Sequence, residues 1–241
     1  MPRPSSRAVR TAGWMGCVCA LWSVCAAGAS LEVNPVRLTL SAAQPVAALT
    51  VRNAGTQPAG LHLQIMAWTQ ADAADQYAAT RELLATPPIF TLAPGAVQTV
   101  RVGLRRAADP ERELAYRLYL QEIPDAVAAN GTGVRIALRI GVPVFVPPDA
   151  PAAPRLHWRA QRDGNAIVLH AQNTGRSHAR ILELTFLSGS RTVAKATAAY
   201  VLAGQSWRWR FAVSPVPAAG APLRVRAKTT AGEVNADVVL E

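Results

Sequence analysis

The sequence predicts an all-β protein made of two β-sandwich domains. Short segments that alternate apolar and polar residues recur along the chain, with turn signals at intervals of roughly ten residues, as in β-sandwiches. Half of the 241 residues are hydrophobic and 17% are charged, so the chain can bury a sizeable core. A stiff connector rich in proline and alanine, residues 147–154, separates two groups of such segments.

The first 29 residues have the pattern of a secretory signal peptide. A short positive start is followed by an uncharged apolar run, residues 14–27, and by the small-residue cleavage pattern Ala27-Gly28-Ala29. We expect cleavage after Ala29 and export of the product. All three cysteines lie in this segment, so we expect neither disulfides nor thiol catalysis in the mature chain.

Composition and motifs exclude several function classes. The net charge of +10 falls to +7 without the three arginines of the signal peptide, and the sequence has no Lys/Arg run that would indicate nucleic-acid binding. The four histidines are scattered, and no catalytic or phosphate-binding motif occurs. We therefore expect no enzyme activity, no catalytic residues, no metal and no cofactor. No later segment has the uncharged length of a membrane span, so we expect no membrane insertion.

The first domain is predicted to begin with strands and tight turns. Asn53-Ala54-Gly55 and Pro94-Gly95 are turn signals. Only residues 71–84 look helical, although their composition, rich in alanine and aspartate, is also common in loops that are not helical. The predicted strands are 31–40, 48–52, 61–68, 97–104 and 114–123, and residues 87–90 are predicted to be extended.

One long strand is predicted over residues 134–145. Its even positions are all apolar, whereas Arg135 and Arg139 occupy odd positions, so one face is expected to be buried and the other exposed to solvent. The apolar face packs either against the core of this domain or against a partner protein, and the strand pattern alone does not decide between the two.

The second domain is predicted to be a smaller sandwich. Asp163-Gly164-Asn165 and Asn173-Thr174-Gly175 are turn signals. Near its end, Trp207 and Trp209 alternate with arginines and form either a strand or a binding patch. The predicted strands are 155–158, 166–172, 179–187, 199–202, 207–213, 223–228 and 236–240.

Four pieces of the first domain carry a family resemblance in order and spacing. They are Arg37-Leu38, the strand from Leu61 to Trp68, the segment from Thr86-Pro87-Pro88 through Pro94-Gly95 to Val100-Arg101-Val102, and Glu122-Ile123-Pro124. Together they resemble the periplasmic chaperones of the chaperone–usher pilus (fimbrial) assembly pathway. The resemblance implies two immunoglobulin-like sandwiches set at an angle, with a cleft between them, and a periplasmic location.

The resemblance also implies a function. Such a chaperone binds incomplete pilus subunits, stabilises them by lending a strand to complete their fold (donor-strand complementation), and delivers them to the outer-membrane usher. The residues expected to fill the groove of the subunit are Val134, Ile136, Leu138 and Ile140. Arg37 is expected to hold the terminal carboxylate of the subunit. The sequence leaves open whether the free chaperone self-associates through the same strand.

The chain departs from better-known members of the family at the second carboxylate anchor. Pro143 takes the place of the family's lysine, and Pro147 takes the place of an arginine that links the domains, although Glu122 remains. Arg139 is then the candidate for the second anchoring cation, and Arg135 is an alternative. Proline lacks a donor N–H, so strand pairing is expected to weaken over residues 141–145. These departures look most like the archaic or alternative branch of the family.

The predicted organisation is a signal peptide at 1–29, an N-terminal chaperone domain at 30–148 and a C-terminal domain at 149–241. The alternative function is an exported two-domain sandwich that binds carbohydrate or a cell-surface ligand without chaperoning. That alternative requires exposed aromatic side chains on a sheet face, and Trp207 and Trp209 are its candidates.

Overall fold

The computed structural model describes residues 30–124 and 137–241. Within these ranges every regular element is a strand, and the strands form four sheets. This confirms the predicted all-β fold of two sandwiches. No helix in the described ranges is long and apolar enough to cross a bilayer. The predicted signal peptide and the predicted donor residues Val134 and Ile136 lie outside the described residues.

Two sheets face each other in the first sandwich. One has the order β1-β3-β8-β6, with bounds β1 Leu31–Asn34, β3 Val46–Asn53, β8 Val97–Leu104 and β6 Leu83–Thr86. The other has the order β2-β10-β9-β4-β5, with bounds β2 Leu38–Thr39, β10 Arg139–Val146, β9 Leu114–Ile123, β4 Ala59–Ala71 and β5 Ala74–Ala79; β7, Ile89–Leu92, pairs with β4. Alternate residues of both sheets, among them Leu49, Val100, Leu118 and Val144, form one buried core.

The second sandwich repeats this plan with seven described strands. One sheet contains β11 Leu156–Asp163, β12 Ala166–Asn173 and β15 Ser206–Ala212. The other contains β14 Arg191–Val201, β13 Ala179–Ser188, β16 Pro222–Thr229 and β17 Gly232–Val239. Its core is centred on Ile167, Leu169, Ile181, Phe186 and Val225, all fully buried.

Each sandwich has the same asparagine turn after one of its inner strands. Asn53 and Asn173 are both fully buried, and each side-chain amide donates two hydrogen bonds to backbone carbonyls. The side-chain oxygen of each accepts the N–H of the glycine two residues on, Gly55 or Gly175. These bonds satisfy every strong donor of the buried amide, so the turn signals seen in the sequence reflect a structural requirement.

The predicted strand 31–40 is wrong as one element. It is split into β1 and β2, which belong to different sheets, and residues 35–37 form the bend between them. Pro35 has no N–H to donate to a ladder, which favours a break at this position. Arg37 therefore lies in the bend immediately before β2 and not within a strand.

The helical appearance of residues 71–84 is also misleading. Residues of this segment form β5, which pairs with β4 across the two-residue turn Asp72-Ala73. Both turn residues have positive φ angles, 52° and 59°, as a type I′ turn requires. The usual sequence signal for this turn is Asn-Gly or Asp-Gly, and an alanine in the second position hides the hairpin.

The predicted long strand over 134–145 begins later than expected among the described residues, at Arg139. The expectation that pairing weakens over 141–145 is wrong, because each of these residues pairs with β9. Backbone groups of even residues face β9, as the bond from Glu122 N–H to Leu138 C=O shows, whereas those of odd residues face away. The missing N–H of Pro143 therefore lies on the side opposite β9 and costs this ladder no bond.

Candidate functional site

The site begins with an open edge on β10. On the side of β10 away from β9, the described residues that pair with it are those of β2, at Val144 and Phe145 only. Earlier in the strand, the odd residues Arg139 and Gly141 direct their backbone N–H and C=O groups to the same side, where no described strand pairs with them. Such an edge is a template for a strand from another chain.

The side chains beside this edge change from exposed to buried along β10. Leu138 and Ile140 are each partly exposed, and Val142 is 2% exposed within the first core. Ile140 packs against that core, whereas Leu138 is outside the cluster. Leu138 is therefore available for contacts beyond its own domain.

Glu122 fixes the start of the edge strand. Its side-chain Oε2 accepts the N–H of Leu138 at 3.0 Å, and its own N–H donates to the Leu138 carbonyl at 2.9 Å. The carboxylate thus acts within the first sandwich. The family resemblance, in contrast, associates Glu122 with a link between the domains.

Arg139 lies on the outer face of its sheet, above an aromatic row. Its guanidinium carbon lies 3.9 Å from the ring centroid of Tyr119, which meets Tyr77 edge-to-face at 5.6 Å. Burial raises the pKa of Tyr77 to about 12, so this phenol stays protonated at neutral pH. Arg117 covers the next ring, Trp68, at 4.0 Å.

Arg37 lines a cavity of about 580 Å³ between the two sandwiches. The connecting segment 147–154 forms one side of this cavity, and residues of β13 and of the turn after β16 form another. Arg37 is exposed and, among the described residues, has no carboxylate within ion-pair distance. A guanidinium in a half-enclosed space of this kind suits the binding of an anion.

The structure does not bring Arg37 and Arg139 together. Leu38 pairs with Val144, so Arg37 lies beside Pro143. Arg139 lies four residues before Pro143 on the same strand. At the rise of a β-strand this is a separation of about 13 Å along β10. Arg139 is also absent from the lining of the cavity that holds Arg37.

A small apolar cluster joins the two sandwiches at the base of the cleft. Trp68 and Phe145 from the first sandwich pack with Leu202 from the second, and all three are at least 96% buried. Gln70, 6% exposed, spans the same junction: its amide donates to the Tyr200 carbonyl at 2.9 Å, and its oxygen accepts the Leu202 N–H at 3.0 Å. These contacts fix how the cavity walls face each other.

A histidine that the sequence did not single out closes one wall of the cavity. The Oε1 atom of Glu113 accepts the His178 N–H at 3.0 Å and lies 2.6 Å from His178 Nδ1. The imidazole ring stacks on Phe145, with 3.8 Å between ring centroids. The two partners are 65 positions apart in sequence, and no local pattern connects them. Arg180, which lines the same cavity, was missed for the same reason.

Among the described residues of the second domain, Trp207 and Trp209 do not form the exposed aromatic sheet face that the alternative function requires. Trp207 and Trp209 are only partly exposed and pack against the second core, and Trp209 also stacks on Trp158 at 5.9 Å. The alternation of β15 places Arg208 and Arg210 outside, as expected of a strand. The described residues also contain no group of three or more His, Cys, Asp or Glu that could hold a metal ion.

The described architecture matches solved pilus chaperone structures. One is the complex of CsuC with the tip adhesion subunit CsuE from the archaic Csu pili of Acinetobacter baumannii: 19% identity, 88% of this chain and 99% of that chain covered, TM-score 0.69. Another is the Salmonella enterica complex of SafA pilin with the SafB chaperone: 18% identity, 88% and 96% covered, TM-score 0.60. The Escherichia coli chaperone DraB matches at 20% identity over 88% and 97%, with a TM-score of 0.58.

At these identities the structural matches establish the fold, and the sequence supplies the family. No curated protein matches the sequence. Residues 30–152, just over half of the chain, match the model of the pili and flagellar-assembly chaperones, PapD N-terminal domain. The chain therefore belongs to the family of pili and flagellar-assembly chaperones.

Proposed function

We propose that this chain is a periplasmic pilus-assembly chaperone that captures incomplete pilus subunits by donor-strand complementation. The observation that carries the proposal is the open edge of β10 next to a cavity that contains an arginine without an ion-pair partner among the described residues. In two of the matched structures, a chaperone is in complex with a tip adhesion subunit or a pilin.

The edge supplies affinity through main-chain hydrogen bonds. Arg139 and Gly141 each offer an N–H and a C=O to an incoming strand. Leu138 and Ile140 would supply the apolar side chains that fill the groove of the subunit, together with Val134 and Ile136 earlier in the chain. A subunit that lacks a strand has an open apolar groove, and covering it prevents aggregation.

The cavity would set the register of the subunit strand relative to β10. A subunit whose last strand runs along β10 would bring its terminal carboxylate to the end of the open edge, where β2 takes over the pairing and Arg37 lies. A charge-assisted and bidentate bond from Arg37 to that carboxylate would fix the position of the strand. Of the two anchors expected from sequence, only Arg37 lies in this cavity.

Membership of the family supports the remaining steps of the proposal. The chain would be exported with cleavage of residues 1–29, would act without catalysis or a cofactor, and would pass subunits to the outer-membrane usher. The boundary between its domains, predicted after residue 148, falls in the connector that lines the cavity.

Replacing Arg37 by glutamate tests the anchor. Co-expressed in a periplasm with a pilus subunit that lacks one strand, the wild-type chain should co-purify with the subunit in a stable complex. Arg37→Glu should lower the yield of complex roughly 100-fold, because it removes a charged bond and places a carboxylate opposite a carboxylate. The yield is measured by affinity purification and quantitative mass spectrometry.

Arg101→Glu is the matched control, since Arg101 is exposed on β8, outside the lining of the cavity. It should retain wild-type capture. Equal capture by the wild type and the Arg37 variant would reject the anchor, and a wild-type chain that ignores every such subunit would reject the function.

A further inference from the structure

The cavity between the sandwiches contains a second arginine, contributed by the other domain. Arg37 enters it from the bend before β2, and Arg180 enters it from β13 of the second sandwich. Within the described part of the chain, Arg180 has no carboxylate within ion-pair distance. Two guanidinium groups thus share one half-enclosed space without a counter-ion of their own.

The guanidinium of Arg180 lies within cation–π distance of an aromatic cluster. Its central carbon lies 5.6 Å from the ring centroid of Tyr200, and Tyr200 packs against Trp68 at 5.2 Å and Phe145 at 5.8 Å. The last two rings belong to the first sandwich. A cation–π contact restrains the planar guanidinium and leaves its N–H groups available to an acceptor.

The acidic side chains that line the cavity do not neutralise the two arginines. The Oε1 atom of Glu113 is engaged by the backbone N–H and the ring of His178, and the Glu113 side chain is only 6% exposed. Asp149 is exposed on the connector and forms no ion pair with a described residue. The space between Arg37 and Arg180 is therefore suited to one additional negative charge.

We propose that Arg180 is the second cation that holds the terminal carboxylate of the subunit. The position beside Arg37 on β10 is occupied by Pro143, which carries neither charge nor donor, and Arg139 lies about 13 Å along the strand. Arg180 reaches the same cavity from β13 of the second sandwich. The bound carboxylate then bridges both sandwiches, so its affinity depends on the junction formed by Trp68, Phe145 and Tyr200. This inference deepens the proposed function and rests on it.

A carboxylate probe tests the pair without knowledge of the natural subunit. N-acetyl-alanyl-alanine and its C-terminal amide are titrated into the ¹⁵N-labelled mature chain, and the side-chain Nε resonances of Arg37 and Arg180 are followed by NMR. The acid should shift both resonances with one common saturation curve, and the amide should shift neither. Arg180→Ala should weaken binding of the acid about 10-fold, since it removes a charge-assisted bond. Arg180→Lys should restore part of the loss.

Arg191→Ala is the control, because Arg191 is an exposed arginine of the same sandwich outside the lining of the cavity. A shift of Arg37 alone, unchanged affinity in Arg180→Ala, or no acid-dependent shift in the wild type would each overturn the inference. The proposed function is judged separately by subunit co-purification. Capture of a subunit that is sensitive to Arg37 and insensitive to Arg180 would leave the function standing and remove only this inference.

Discussion

Leu138→Glu is expected to leave the chain folded and to abolish capture of pilus subunits. Leu138 is partly exposed and lies outside the apolar core cluster of the first sandwich, so its replacement costs the free chain little. In the complex, the same position would enter the apolar groove of the subunit. Placing a charge there should weaken binding at least 100-fold, on the order of 3 kcal/mol or more. Pull-down of a co-expressed subunit gives the binding result, and circular dichroism during heating gives the stability.

Two further variants separate this explanation from others. Val142→Glu places the same charge in the core, where Val142 is 2% exposed, and should prevent folding. Leu138→Lys has the opposite charge, so a loss of capture in both Leu138 variants cannot arise from repulsion by the nearby Glu122 carboxylate. Normal capture by a folded Leu138→Glu chain would remove Leu138 from the donor strand.

Among the glycines that the structure describes, Gly175 is expected to be the one whose replacement by alanine destabilises the protein most. A Cβ atom at Gly175 would lie 2.3 Å from the Ala153 carbonyl oxygen and 2.5 Å from the Arg155 nitrogen. They are backbone atoms at the end of the connector and just after it, and they cannot move aside as a side chain can. The expected loss is about 3 kcal/mol or more in the free energy of unfolding, measured by urea denaturation.

Gly164→Ala is the matched control for this substitution. Gly164 also lies in a turn of the second sandwich, but nothing lies within 4 Å of its added Cβ, and only its φ of +61° penalises alanine. Its cost should be about 1 kcal/mol. If Gly175→Ala were no less stable than Gly164→Ala, the close packing of the connector against the asparagine turn would be refuted.

The regular strands are predictable from sequence because alternation directly reports burial on one face. Predicted strands 97–104 and 114–123 have the bounds observed for β8 and β9. The failures occur where backbone geometry overrides composition. The hairpin at Asp72-Ala73 lacks the glycine that normally marks such a turn, and a proline-containing bend divides the predicted strand 31–40 between two sheets.

Only some residues of the candidate site can be predicted from the sequence. The family resemblance predicts the roles of Arg37, Leu138 and Ile140, and the alternation of apolar residues predicts that Leu138 and Ile140 share one face of the strand. Arg180 and the pair formed by Glu113 and His178 come together only when the two sandwiches pack against each other. Glu113 belongs to the first sandwich, whereas His178 and Arg180 belong to the second. No local sequence pattern connects residues of the two domains, so only the folded structure identifies these contacts.

Hydrogen exchange at the open edge of β10 tests the central claim most directly. In the free chain the N–H groups of Arg139 and Gly141 should exchange fast, whereas those of Ile140 and Val142, which face β9, should be protected. Formation of a subunit complex should slow exchange at Arg139 and Gly141 by roughly 100-fold, with little change at the two internal references. A stable complex in which these two amides still exchange at the rate of the free chain would contradict strand donation by β10.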